Sequence, residues 1–207
     1  MVLVLTLVAV IMGGVLALVN HVTEGPIAQV NKQKLDAGIK SVMCTEELSV
    51  ADPVEVKQNV DGKELTYLIY QAKDKDGNDL GAAVESTTMG FGGDLKVLVG
   101  FDTEGKVLGY TLLEHTETPG LGAKADKWFQ KGQKGDIIGK DPQEPLTVSK
   151  DGGQVDAITA STITSRAFLK AVNLAYTAFK NTPAVDGTSG ATEKAESETA
   201  EQTKEEE

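Results

Sequence analysis

The chain has 207 residues, enough for one core domain of roughly 100 to 150 residues plus appendages. Its formal net charge of −11 and sequence pI near 4.7 argue against nucleic acid as a partner. Cys44 is the single cysteine, which excludes an intrachain disulfide and Cys-x-x-Cys metal or iron–sulfur ligation. The two histidines, His21 and His115, show no ligand spacing to carboxylates, so no metal site is expected.

Residues 1–19, MVLVLTLVAVIMGGVLALV, carry no charge. At 1.5 Å per residue they nearly cross a hydrocarbon core of about 30 Å, so residues 1–20 read as a transmembrane anchor. A cleaved signal peptide is the rival, but no basic residue precedes the apolar run and no Ala-x-Ala-like site ends it. Lys32, Lys34 and Lys40 follow the span, and charge alone weakly places them on the cytoplasmic side. Pro26 suits a first helical position, and Ala28, Leu35 and Val42 recur every seven residues with Ile39 in the same stripe. Residues 21–45 therefore read as an amphipathic helix continuing from the anchor.

From 65 to 115, apolar runs are split by Asp-Gly and Glu-Gly turns, which predicts an antiparallel meander. A short helix is expected over 124–130, with Trp128 in a packing role, and a short strand over 146–149. Phe168, Val172, Ala175 and Phe179 recur at helical spacing and predict a helix from about Thr162 to Lys180. Beyond that the composition turns to Gly, Ser, Thr, Ala and acid, so 181–207 is expected to be a disordered acidic tail. The fold class is α+β: an N-terminal transmembrane helix followed by one domain, 46–180, with an antiparallel sheet and flanking helices.

Thr159, Ser161, Thr162, Thr164 and Ser165 crowd the start of the last predicted helix. Free N–H groups and the positive end of the helix dipole make that end a favourable place for an anion such as phosphate. One capping hydroxyl, which stabilises a helix by about 1 kcal/mol, would be ordinary; five within seven residues exceed that need. No Walker-type Gly-x-x-x-x-Gly-Lys-Ser/Thr occurs, which disfavours nucleotide hydrolysis.

The stretch Asp156-Ala157-Ile158-Thr159-Ala160-Ser161-Thr162-Ile163-Thr164-Ser165 resembles the flavinylation motif of FMN-binding domains. In that family a threonine hydroxyl carries FMN through a phosphoester. The resemblance implies Thr162 as the attachment site and Asp156 and Thr159 as positions that a flavin transferase requires, with Ser161 and Thr164 beside the phosphate. Ala160 and Ser161 stand where Gly-Ala is more usual. The tail holds a second, shorter match at Asp186 to Thr192, but no apolar helix follows it, and Thr162 is preferred.

Glu114 to Gly122, EHTETPGLG, resembles the loop that borders the flavin ring in the same family, implicating Glu117, Thr118, Gly120, Leu121 and Gly122. His115 is read as an ordinary hydrogen-bonded residue rather than a proton donor. Gly90-Phe91-Gly92-Gly93 resembles the family's glycine-rich turn before a central strand.

The order of features resembles the G subunits of Rnf electron-transport complexes, with the related C subunits of sodium-pumping NADH:quinone oxidoreductases as the close alternative. That resemblance implies a single-pass membrane subunit with its domain on the extracytoplasmic side. It would carry covalent FMN and relay electrons within an ion-translocating ferredoxin:NAD oxidoreductase, without catalytic residues or independent turnover. Its implied partners are other membrane and redox subunits, a flavin transferase during maturation, and the lipid bilayer. Two other classes stay open: an anchored ligand-binding module without covalent flavin, and a structural membrane subunit in which Thr162 only caps a helix.

Overall fold

The computed structural model describes residues 1–45, 47–60 and 62–182, so the tail beyond Thr182, including Thr192, lies outside the described residues. In chain order the elements are α1 (Val2–Val42), β1 (Ser49–Val50), β2 (Val54–Val60), β3 (Lys63–Lys73), β4 (Asp79–Met89), β5 (Asp94–Phe101), β6 (Val107–His115), α2 (Ala125–Trp128) and α3 (Thr162–Lys180). Two 3-10 turns, Gly122–Lys124 and Ser149–Asp151, sit in the connections.

The strands form one antiparallel sheet in the order β1-β3-β4-β5-β6, with β2 pairing along the remainder of the β3 edge. β3 to β6 are the meander that the sequence predicts. Aspartates close two of its turns. The Asp74 carboxylate accepts from the Asp76 and Asn78 N–H groups between β3 and β4, and that of Asp102 from Glu104, Gly105 and Lys106 between β5 and β6.

Alternation along the strands gives the sheet two buried faces. One carries Ile69, Val84, Val97, Val99, Phe101 and Tyr110, packed under α3 through Phe168, Leu169, Val172 and Ala175. The other carries Tyr70, Ala83 and Leu98 beneath Ile39, Val42 and Met43 at the end of α1. Gly100 and Gly109 are cross-strand partners on β5 and β6. A Cβ on Gly100 would strike the Val42 carbonyl oxygen, and one on Gly109 would lie 2.9 Å from it. Two glycines thus let the helix backbone rest directly on the sheet.

Three sequence expectations change. Pro26 does not begin a second helix; it lies inside α1, where the chain stays helical although proline supplies no N–H to the preceding turn. Residues 146–149 make no ladder, only a parallel bridge between Val148 and Val155. At Leu146 the backbone finds a side chain instead: its N–H donates to Asn173 Oδ1 on α3 at 2.9 Å, and Asn173 Nδ2 donates back to its carbonyl at 3.0 Å. β1 and β2 are additions to the predicted meander.

Candidate functional site

Three segments meet at the start of α3: the turn 90–93 between β4 and β5, the loop 116–122 after β6, and residues 160–164. A cleft of about 370 Å³ opens between them, lined by Phe91, Glu117, Thr118, Leu121, Gly122 and residues 160–164. Its volume falls within the range of small-molecule sites.

Glu117 joins the three segments. Only 5% exposed, its carboxylate accepts the Phe91 N–H at 2.7 Å and the Gly92 N–H at 3.3 Å through Oε1, while Oε2 accepts the Thr164 hydroxyl at 2.9 Å. A Cβ on Gly90 or Gly122 would collide with that carboxylate, so glycine at both positions is what lets the carboxylate reach its donors. The Glu117 N–H donates to His115 Nδ1 at 3.3 Å, which gives His115 a structural hydrogen bond.

α3 is anchored behind the cleft. Phe168 stacks on Phe129 with centroids 4.3 Å apart and meets Tyr110 edge-on at 4.7 Å. The Tyr110 hydroxyl donates to the Ala125 carbonyl at 2.7 Å and accepts the Phe129 N–H at 3.1 Å; burial pushes its pKa up. The Thr88 hydroxyl donates to the Ala167 carbonyl at 2.9 Å, tying β4 to the helix.

The clustered hydroxyls divide their work. Ser165, fully buried, donates to the Ser161 carbonyl at 3.0 Å and accepts the Ile158 N–H at 2.9 Å, closing the turn ahead of the helix. Thr164 serves Glu117. Ser161 stands at the N-cap with no side-chain capping bond. Thr162, the first helical residue, lines the cleft, and its hydroxyl accepts from Lys150 Nζ at 3.1 Å. Plain capping by Thr162 is therefore not what the geometry shows.

Of the residues named from sequence, Glu117, Thr118, Leu121, Gly122, Ser161, Thr162 and Thr164 line the cleft together. Gly120 faces a neighbouring groove with Pro119 and Trp128. Asp156 and Thr159 are exposed and stand outside the cleft. The Asp156 carboxylate accepts the Ser149 hydroxyl at 3.1 Å, and its carbonyl accepts the Trp128 indole N–H at 2.7 Å.

Sequence reasoning did not assign site roles to Phe91, Ile163 and Lys150. Phe91 is 68% exposed and Ile163 53%, flanking the cleft with Leu121 at 42% as an apolar rim. An aromatic residue set among glycines, as Phe91 is, was a usable signal. Lys150 offered none, because only the tertiary fold brings it to Thr162. At Ala160 φ is +63°, a left-handed conformation that favours glycine, which accounts for the glycine more usual at this position of the motif.

An antiparallel sheet backed by a helix whose hydroxyl-rich start opens on a cleft bordered by glycine-containing loops defines the class of FMN-binding domains, and residues 90–177 match that family. The G subunit of the ion-translocating oxidoreductase complex of Photorhabdus laumondii is 35% identical over 177 residues, covering 81% of this chain and 83% of that protein. The protein of the same name from Shewanella baltica is 34% identical over 189 residues, covering 87% and 88%. The chain belongs to the family of G subunits of ion-translocating oxidoreductase complexes. Among solved structures it is similar to the C subunit of the Na(+)-translocating NADH-quinone reductase from Parabacteroides distasonis, at 21% identity and a TM-score of 0.43, over 66% of this chain and 80% of that one.

Proposed function

We propose that this chain is a membrane-anchored electron-transfer subunit of an Rnf-type ion-translocating ferredoxin:NAD oxidoreductase, carrying FMN through a phosphoester on Thr162. The observation that carries the reading is the position of Thr162: it lines a cleft at the first turn of a 19-residue helix that no side chain caps. A phosphodiester there keeps one negative charge facing the helix dipole and its free N–H groups.

The residues present fit the group. Phe91, Leu121 and Ile163 offer apolar surface to a flat ring. Bound FMN would supply the electron chemistry; the chain supplies position, polarity and exclusion of water. Asp156 and Thr159, both exposed, are available to a flavin transferase during maturation. Covalent attachment suits a relay facing the extracytoplasmic side, where a dissociable cofactor would be lost by dilution.

Membrane anchoring is supported by α1, which among the described residues is the helix long and apolar enough to cross a bilayer. From Val2 to Val22 its large hydrophobic residues are exposed, far more contiguous apolar surface than a soluble monomer carries. The other subunits of the complex and the lipid bilayer are its partners on this reading.

The test is the intact mass of denatured wild type and Thr162→Val, each produced with a flavin transferase. An FMN-sized increment is expected on wild type and not on the variant. No increment on either would replace this reading with a ligand-binding module, and an increment retained on the variant would move the attachment to Thr192.

A further inference from the structure

The loop 147–156 lies outside the residues that line the cleft, yet one of its side chains reaches Thr162. Lys150 sits on the 3-10 turn Ser149–Asp151 and donates from Nζ to Thr162 Oγ1 at 3.1 Å. Three ties fix that turn. The Ser149 N–H donates to the Val155 carbonyl at 2.8 Å, closing the loop at its base. The Ser149 hydroxyl donates to Asp156 Oδ1 at 3.1 Å. The Asp151 carboxylate receives both Nε and Nη2 of Arg166, at 2.7 and 2.6 Å, clipping the turn to the first part of α3.

Lys150 and Arg166, both near the helix start, differ in their partners. The guanidinium fork of Arg166 is taken up by Asp151, whose carboxyl it holds below the usual range. Among the described residues Lys150 makes no ion pair with a carboxylate. Its bond to Thr162 is made to a hydroxyl, a weak partner for an ammonium group.

We propose that Lys150 is the positioning cation for the phosphate carried by Thr162, and that Asp156, through Ser149, holds the loop that presents it. The inference rests on the flavin reading above. Once Thr162 Oγ1 becomes an ester oxygen it is a poor acceptor, and the ionised phosphate oxygens lie two bonds further out, beyond the phosphorus. The flexible stem and three donors of lysine accommodate that shift. The phosphate is then held between the N–H groups of α3 on one side and Lys150 on the other.

The test uses the full chain, produced with a flavin transferase and purified in detergent, as wild type, Lys150→Met, Lys150→Arg and the unloadable control Thr162→Val. Intact mass reports loading; phosphorus NMR reports the surroundings of the phosphodiester; thermal unfolding reports the stabilisation that loading brings. Lys150 is exposed, so both substitutions leave the core untouched. The expected result is a displaced phosphorus resonance in Lys150→Met with at least half of the loading-dependent rise in Tm lost, and near wild-type behaviour in Lys150→Arg. Failure of Lys150→Met to load while Lys150→Arg loads fully also supports the proposal. A loaded Lys150→Met with the wild-type resonance and the full rise in Tm overturns it while leaving the flavin reading intact. Absence of an FMN increment on wild type overturns both, and is seen before any variant is compared.

Discussion

Removing the Glu117 carboxylate should do more damage than removing any other side chain of the cleft. In Glu117→Ala the Phe91 N–H, the Gly92 N–H and the Thr164 hydroxyl lose their acceptor at once. The 2.7 and 2.9 Å bonds are well formed and the 3.3 Å bond is weak. Two strong bonds to a charged acceptor, each worth about 1.5 kcal/mol or more, place the loss near ~3 kcal/mol. For a protein of this size that is a fall in Tm of roughly 10 °C. Glu117→Gln keeps an acceptor for the two N–H groups and lets the Thr164 hydroxyl accept from the new amide, so its loss should stay at about 1 kcal/mol. Denaturant unfolding of the detergent-solubilised chain measures both. A loss below about 1 kcal/mol for Glu117→Ala, or equal losses for the two variants, would refute the assignment of Glu117 as the tie between the three segments.

Ala160→Gly removes a Cβ from a left-handed residue, a relief of about 1 to 2 kcal/mol, against an unfolded-state entropy cost of about 0.4 to 1 kcal/mol. A net gain of about 0.5 kcal/mol is expected by the same unfolding assay, and a clear loss would contradict it. Gly100→Ala should cost about 2 kcal/mol, because its Cβ meets the Val42 backbone rather than a movable side chain; hydrogen exchange should quicken selectively at the end of α1. Alkaline pH should also destabilise the fold. Burial raises the pKa of Tyr110 and pushes that of Tyr70 up to about 12, helped for Tyr70 by Glu85 and Asp36. The folded state therefore retains phenol protons that the unfolded chain releases near pH ~10. Stability is complete below that pH and falls as pH rises above it. Tyr110→Phe should flatten that fall when unfolding is followed from about pH 9 to 11, and an unchanged slope would count against it.

The start of α3 was legible because two signals coincide there, the apolar stripe from Phe168 to Phe179 and the hydroxyl run ahead of it. The meander was legible because each of its turns is marked by Asp, Asn or Gly between apolar runs. β2 was not read: in VEVKQNV each face is half-buried at best, as befits an outer strand, and the apolar run is too thin to stand out. The opposite error arose at 146–149, where alternating apolar residues suggested a strand. Val148 and Leu146 are indeed buried, but the backbone of residues 147–149 bonds within its own loop, to Asp151, Gly152, Gly153 and Val155, and the Leu146 backbone pairs with the Asn173 side chain, which sequence spacing cannot reveal. Motif resemblance gathered Glu117, Thr118, Leu121, Gly122, Ser161, Thr162 and Thr164 around the cleft, yet could not show what each does. That Glu117 points inward at Thr164, or that Lys150 meets Thr162, depends on loops placed by tertiary bonds.

α1 runs unbroken from Val2 to the sheet it rests on. From Asn20, near the end of the apolar stretch, to Leu35, the first residue packed on the sheet, the helix rises about 22 Å. A flexible linker of the same length would have a similar mean reach, roughly 21 Å, but would let the domain wander through a wide volume. A helix gives one height and one bearing. On the membrane-anchored reading, the cleft works as a fixed contact on a mast, and a redox partner must be built to meet it there. Lengthening the mast by one residue would turn the cleft by about 100°, whereas seven residues would return it almost to its original heading about 10 Å higher.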